Sequence, residues 1–150
     1  MSRFFARAEV KVPAVAGLSL CGRELSQLTE NIMESIGLAD CGVDVRLSGD
    51  QEVAQLNARF RDLPGPTNVL SFPDEALDQD PDSEIHELGQ VVVNRDAVLR
   101  EARLYGQDPL EHLVRLLAHG LLHLAGEEHG LDMEERTDRA VAEVVPTLYI

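Results

Sequence analysis

A small α+β domain is the expected product of this sequence: a four-stranded mixed sheet with about five helices packed on it. The apolar residues alternate along some segments and recur at helical spacing along others, so strands and helices are both present. Residues 95–150 read as helical throughout, which gathers the helices toward the C-terminal end. At 150 residues without an internal repeat, the chain suits one domain, 1–150. That length holds enough core to fold without disulfides or a structural metal, which points any bound metal toward function.

The elements follow in the order β-α-β-α-β-β-α-α-α. "RFFARAEVKV" supports a first strand. "CGRELSQLTENIMESIGLADCG" places Leu25, Leu28, Ile32, Met33 and Ile36 at helical spacing and stops at Gly37. In "VDVRLS", Val43, Val45 and Leu47 alternate with polar neighbours, as in a half-buried strand. A short helix follows, capped by Ser48 or Asp50, with Val53, Leu56 and Phe60 as its inward stripe. Beyond the turn "DLPGPT", the runs "NVLSF" and "LGQVVVN" are the third and fourth strands, joined by the acidic exposed loop "FPDEALDQDPDSEIHE". "RDAVLREARLYG" is a helix that ends at Gly106. In "DPLEHLVRLLAHGLLHLAG", Asp108 is the N-cap, Pro109 the first helical residue and Gly126 the stop. A last helix runs through "DMEERTDRAVAEVV" to Pro146.

Charge narrows the function classes. Acidic residues number 27 against 13 basic ones, a formal net charge of −14, which is the opposite of a duplex-coating protein. Every basic residue except Lys11 is an arginine, the side chain suited to bidentate phosphate contacts, so the positions of the arginines matter more than their sum. Cys21 and Cys41 lack C-x-x-C spacing and read as two small buried hydrophobes in a reducing compartment. No window approaches the length of a transmembrane helix and the N-terminus lacks a signal-peptide pattern, so a cytoplasmic location with no membrane partner is expected.

The chemistry concentrates in "LLAHGLLHLAGEEHGLD", which holds three of the five histidines. His119 and His123, four residues apart on a helix, lie about 40° apart around the axis and about one turn along it. Gly126 is suited to a left-handed turn, after which His129 can return to the same point. Three imidazoles leave a tetrahedral cation one open position, the arrangement of a catalytic zinc. Zinc suits three nitrogen ligands best, and residue types alone leave nickel or another divalent ion open. Leu116, Leu117, Leu121, Leu122 and Leu124 surround the pair, so the helix should cross the middle of the domain. His86 and His112 fall outside this geometry and read as surface or packing residues. The zinc-peptidase signature H-E-x-x-H needs a glutamate where this chain has Gly120, which disfavours peptide hydrolysis unless Glu127 or Glu128 supplies the base.

"HGLLHLAGEEHG" resembles the H-G-x-L-H-L-x-G-x-D-H signature of the YbeY endoribonucleases, bacterial ribosomal RNA maturation factors. "LNARFRDLPGPTNVLSFP" is similar to that family's L-N-x-x-[YF]-R…P-T-[ND]-V-L-S-F segment, and "ELGQVVVNRDAV" sits where the family has an L-G-D strand. The resemblance spans roughly residues 45–135. It implies a single-domain α+β fold with a zincin-like metal-site helix, and metal-dependent cleavage of single-stranded RNA in ribosomal RNA maturation and ribosome quality control. The implied cofactor is one zinc ion per chain, held by His119, His123 and His129. The implied catalytic residue is Arg61, which would otherwise read as an exposed cation at a helix C-terminus. The implied partners are ribosomal RNA and the small ribosomal subunit or its proteins, and no DNA. Two positions depart from the family pattern: Glu128 stands for Asp before the last histidine, and Gln90 for Asp after "LG".

On this reading Arg61 forks onto the scissile phosphate, Arg59 and Arg95 are weaker candidates for holding the RNA backbone, and the edge of the "PTNVLSF" strand lines the groove. Thr67 and Ser71 read as turn and strand residues. Two rival classes stay open: a zinc peptidase or amidohydrolase, and a noncatalytic ribosome-assembly factor whose zinc only fixes the fold.

Overall fold

The computed structural model describes residues 3–75, 80–126 and 130–149. They form β1 (Phe4–Val10), α1 (Gly22–Ile36), β2 (Cys41–Ser48), α2 (Asp50–Arg61), β3 (Val69–Pro73), β4 (His86–Asn94), α3 (Arg95–Tyr105), α4 (Pro109–Leu124) and α5 (Leu131–Val144), then a 3-10 turn, Val145–Tyr149. The element order and the mixed sheet are those expected from the sequence. Strands lie in the order β1-β2-β4-β3, with β1–β2 and β2–β4 parallel and β3–β4 antiparallel. This leaves β3 at an edge. Among the described residues no helix is long and apolar enough to cross a membrane.

Alternation along the strands divides the sheet into unequal faces. Val43, Val45 and Leu47 of β2, with Val91 and Val93 of β4, are buried in one core with Leu25, Ile32 and Met33 of α1 and Leu113, Leu117 and Leu121 of α4, and α5 packs on those two helices and adds Met133 to the same core. On the opposite face α2 covers Leu70 and Val92 through Val53, a much smaller cluster. The same face of β1 and β2 carries ion pairs, Arg7 with Asp44 at 2.7 Å and Arg46 with Glu9 at 3.6 Å.

Three local expectations are corrected. Phe60 does not complete the inward stripe of α2: it is 57% exposed, because the last turn of the helix passes beyond the small cluster and the ring meets Phe72 at its edge and the Arg59 guanidinium over its face. The N-cap of α2 is Gly49, since Ser48 is buried as the last residue of β2 and Asp50 is already helical. Cys21 is exposed as the N-cap of α1, with Glu24 Oε1 accepting from its backbone N–H at 3.0 Å. Cys41 is half-buried at the start of β2, and burial pushes its thiol up, with Asp40 and Glu87 adding to the shift.

α4 begins as its sequence indicates, with Asp108 accepting from the Leu110 N–H at 2.8 Å and Pro109 in the first turn. Midway it presents Gly120 to the sheet. A Cβ there would stand 2.9 Å from Val91 Cγ1, 3.2 Å from Val69 Cγ2 and 3.3 Å from Ser71 Oγ. Ser71 Oγ also donates to the Gly120 carbonyl at 3.1 Å, fastening β3 to the helix. The glycine therefore sets the distance between helix and sheet, offsetting its poor helix propensity of about 1 kcal/mol.

At the other end of β4, fully buried Asn94 caps α3 by accepting from the backbone N–H groups of Asp96 and Ala97, and donates to Asp50 Oδ1 at 2.7 Å and to the Thr67 carbonyl at 3.0 Å. Arg100 grips the same Asp50 carboxylate with contacts of 2.6 and 3.0 Å. This network joins α2, α3 and the turn that enters β3.

Two outcomes follow from this packing. Gly120→Val should destabilise the domain by about 2–3 kcal/mol through overpacking against Val69 and Val91, read as a fall in urea midpoint at constant m. A wild-type midpoint would mean that helix and sheet are not in contact at this point. Arg100, and after it Asn94, hold the Asp50 carboxyl below the ordinary carboxylate range. The unfolded chain therefore takes up that proton more readily than the folded one. The resulting stabilisation is full above about pH 4 and fades as pH falls further toward the depressed value. In acid titrations of unfolding free energy, Arg100→Gln should lose less stability than wild type across that interval, by under about 1 kcal/mol because the pair is accessible to solvent.

Candidate metal and phosphate site

The half-buried His119 and His123 occupy successive turns of α4 where the helix leaves the core, with Leu116, Leu117, Leu121 and Leu122 buried around them and Leu124 partly so. Their Nε2 atoms face each other at 3.1 Å, and the rings cross edge to face with centroids 4.6 Å apart. Beyond the helix Gly126 adopts φ +92°, the left-handed turn anticipated for it. His129, expected to be the third ligand, lies outside the described residues, as do Glu127 and Glu128.

Arg61 reaches the same place from the opposite side of β3. It ends α2, where the buried Asn57 side chain donates to the Gly65 carbonyl at 3.0 Å and so clamps the following loop. Arg61 Nη2 donates to the Ser71 carbonyl at 3.0 Å. That contact fixes the guanidinium against the edge strand and leaves its other N–H donors for an anion. A cleft of about 410 Å³ is lined by Arg61, Asn68, Val69, Ser71, Pro73, His119 and His123. A larger cavity of about 590 Å³, bordered by Leu131, Met133 and Thr137, opens on the other flank of His119 between α4 and α5. The first cleft is the one that combines both histidines with the arginine.

Two residues that line this cleft, Ser71 and Asn68, and Glu101 behind Asn68 were given no site role by their sequence pattern. Ser71, read only as a strand residue, holds Arg61 through its carbonyl and α4 through its hydroxyl. Asn68 lines the cleft and donates through Nδ2 to both Glu101 oxygens, at 3.2 and 3.4 Å. Glu101 in turn accepts from Nε2 of His112, the buried packing histidine, at 2.8 Å. The strand motif "PTNVLSF" was the available signal, but the partners on α3 and α4 are distant in sequence.

Other candidates separate cleanly. Arg95 is committed to the fold, donating to the Pro13 carbonyl at 2.6 Å and to Asp96 at 3.1 Å. Arg59 stays at the surface over the Phe60 ring. Thr67 gives its carbonyl to Asn94. Gln90 pairs across the sheet with Phe72 and borders Arg7, Asp44 and Arg46, on the face opposite the histidines. Its lack of a carboxylate therefore leaves the cleft unaltered. His86 is exposed at the start of β4.

The paired imidazoles fit a divalent cation. Two nitrogens bound to one zinc at about 2.0–2.1 Å in tetrahedral array stand about 3.3 Å apart, close to the spacing of these rings. Among the described residues no third His, Cys, Asp or Glu completes a ligand group with them. The Gly120 position cannot host a peptidase base, because any side chain there meets Val69 and Val91 of the sheet.

Comparison with known proteins agrees with this fold. A family model described as Endoribonuclease YbeY matches residues 18–145. The Endoribonuclease YbeY of Oleidesulfovibrio alaskensis is 40% identical over 141 residues, covering 83% of this chain and 83% of the relative. That of Nitratidesulfovibrio vulgaris is 37% identical over 130 residues, covering 78% and 80%. The solution structure of TM1509 from Thermotoga maritima superposes with a TM-score of 0.67 at 26% identity, over 96% of this chain and 91% of that one. The family match is wider than the two motifs and takes in every helix from α1 to α5; this chain belongs to the Endoribonuclease YbeY family.

Proposed function

We propose that this chain is a metal-dependent, single-strand-specific endoribonuclease that acts in the cytoplasm on ribosomal RNA, in maturation and ribosome quality control, together with the small ribosomal subunit or its proteins. The observation that carries the reading is the meeting of Arg61 with the His119–His123 pair in one cleft, in a chain of this family. His119, His123 and His129 would hold one zinc or similar divalent ion, which when bound supplies Lewis acidity at the phosphate and activates the attacking oxygen.

The protein's own groups do the positioning. Phosphodiester cleavage builds charge on the equatorial phosphate oxygens, so oriented cations matter more than a peptidase-type carboxylate. Arg61 is held for that task by Ser71, and its planar fork can meet two phosphate oxygens at once. Apolar burial around α4 keeps the imidazoles in place and excludes water from their rear. An acidic surface repels RNA in general, so binding depends on this local site and is aided by a ribosomal protein or a particular rRNA end.

Metal analysis of the purified protein, paired with cleavage of single-stranded RNA, tests the proposal. Wild type should carry about one divalent ion per chain and cleave, and His119→Ala should lose both. Arg61→Lys should keep the metal but cut kcat/KM about 100- to 1000-fold. Near-normal cleavage by Arg61→Lys would remove the fork from the mechanism. Chelation should abolish cleavage while far-ultraviolet circular dichroism stays helical, because the core does not depend on the ion; outright unfolding would favour a structural metal.

A further inference from the structure

We infer that Phe60, with Arg59 beside it, is a stacking platform for an unpaired nucleobase of the RNA strand whose phosphate lies at Arg61. The inference rests on the nuclease reading of the cleft. The chain is poor in aromatics, with four Phe, two Tyr and no Trp, yet it leaves Phe60, the residue directly before Arg61, 57% exposed. Burial does not explain that ring. Phe72 meets it edge to face at 5.5 Å and fixes its orientation from the β3 side. The Arg59 guanidinium carbon lies 5.1 Å from the ring centroid, a cation–π contact that adds a second flat surface on which a base can stack.

Charge identifies the occupant. Arg3, Arg7, Arg46, Arg95, Arg100 and Arg115 are all paired with carboxylates. Among the described residues Arg59 and Arg61 make no such pair, as is also true of Arg23, Arg103 and Arg139, but these two alone of that group adjoin the cleft: one lies over the Phe60 ring and the other holds a backbone carbonyl. An exposed aromatic flanked by two guanidinium groups that no carboxylate neutralises is the composition of a single-strand binding surface, in which bases stack and cations track the phosphates. Because Arg61 reaches Ser71 on the edge strand, the turn that bears Phe60 and the histidine cleft border the same rim, on opposite faces of β3. A strand crossing that rim can place one phosphate in the cleft and a neighbouring base on the ring. A base already stacked inside a duplex cannot do so, which makes the platform a source of single-strand preference.

The absence of tryptophan supplies the probe, since Phe60→Trp introduces the only indole. The chain is titrated, in chelator so that binding is read without turnover, with a mixed-sequence single-stranded oligoribonucleotide and with its duplex. The single strand should quench the indole emission and the duplex should leave it largely unchanged. Phe60→Leu, which keeps an apolar side chain but no ring, should weaken single-strand binding about 10-fold or more by fluorescence anisotropy, while Phe60→Trp retains it. Thermal unfolding confirms that both variants are folded. The inference is overturned if Phe60→Leu binds as wild type does, or if the indole emission is unmoved while binding occurs; such results would fit a protein-docking role for the ring. Failure of the unsubstituted protein to bind the single strand in chelator overturns the platform, whereas failure of the metal-loaded protein to cleave it overturns the nuclease reading as well.

Discussion

The seating of α4 on the β3–β4 edge through Gly120 is the contact from which the geometry of the cleft follows. A helix packed over side chains would stand farther from the sheet, and the histidines one residue before and three residues after the glycine would ride outward with it. With no Cβ at that point, Val69 and Val91 meet the helix directly and the Ser71 hydroxyl reaches the Gly120 carbonyl. The carbonyl of the same Ser71 accepts from Arg61. One strand residue thus sets the imidazoles and the guanidinium relative to each other. The glycine that makes this approach possible is also the residue that denies the helix a peptidase base, so packing and chemistry select the same residue.

A second constraint is electrostatic. In a chain of net charge −14, half of the arginines are paired with neighbouring carboxylates among the described residues, and these pairs are largely exposed and worth little individually. Their consequence is local contrast: the cations of α2 that no carboxylate neutralises stand at the rim of the cleft, against a surface that discourages unspecific polyanion binding. Such a distribution suits an enzyme that must not cut every exposed RNA, with selection by contact at one edge strand in place of general attraction.

Much of the fold was legible because its signals are local. Leu25, Leu28, Ile32, Met33 and Ile36 at helical spacing, the alternation of Val43, Val45 and Leu47, and the Asp108–Pro109 start of α4 each report on a stretch of a few residues, and each has the structure its pattern indicates. The order of strands in the sheet, the place of β3 at its edge and the side of the sheet on which Gln90 falls are long-range facts that no local pattern carries. Phe60 shows the same limit: helical spacing puts it in line with Val53 and Leu56, but the sheet beneath ends before it, so the ring reaches solvent. Of the candidate site, the histidine spacing was plain in the sequence, and the arginine was recognisable only by family likeness. The links through Ser71, Asn68, Glu101 and His112 were invisible, because they join residues that lie far apart along the chain.

The most direct measurement is X-ray absorption at the metal edge of the purified protein, before and after addition of a phosphodiester analogue. Imidazole nitrogens as the only protein ligands, together with a phosphate oxygen that enters the shell in the wild type and is lost in Arg61→Ala, is the expected result. A metal held by sulfur or by carboxylates, or a shell indifferent to phosphate and to Arg61, would contradict the account.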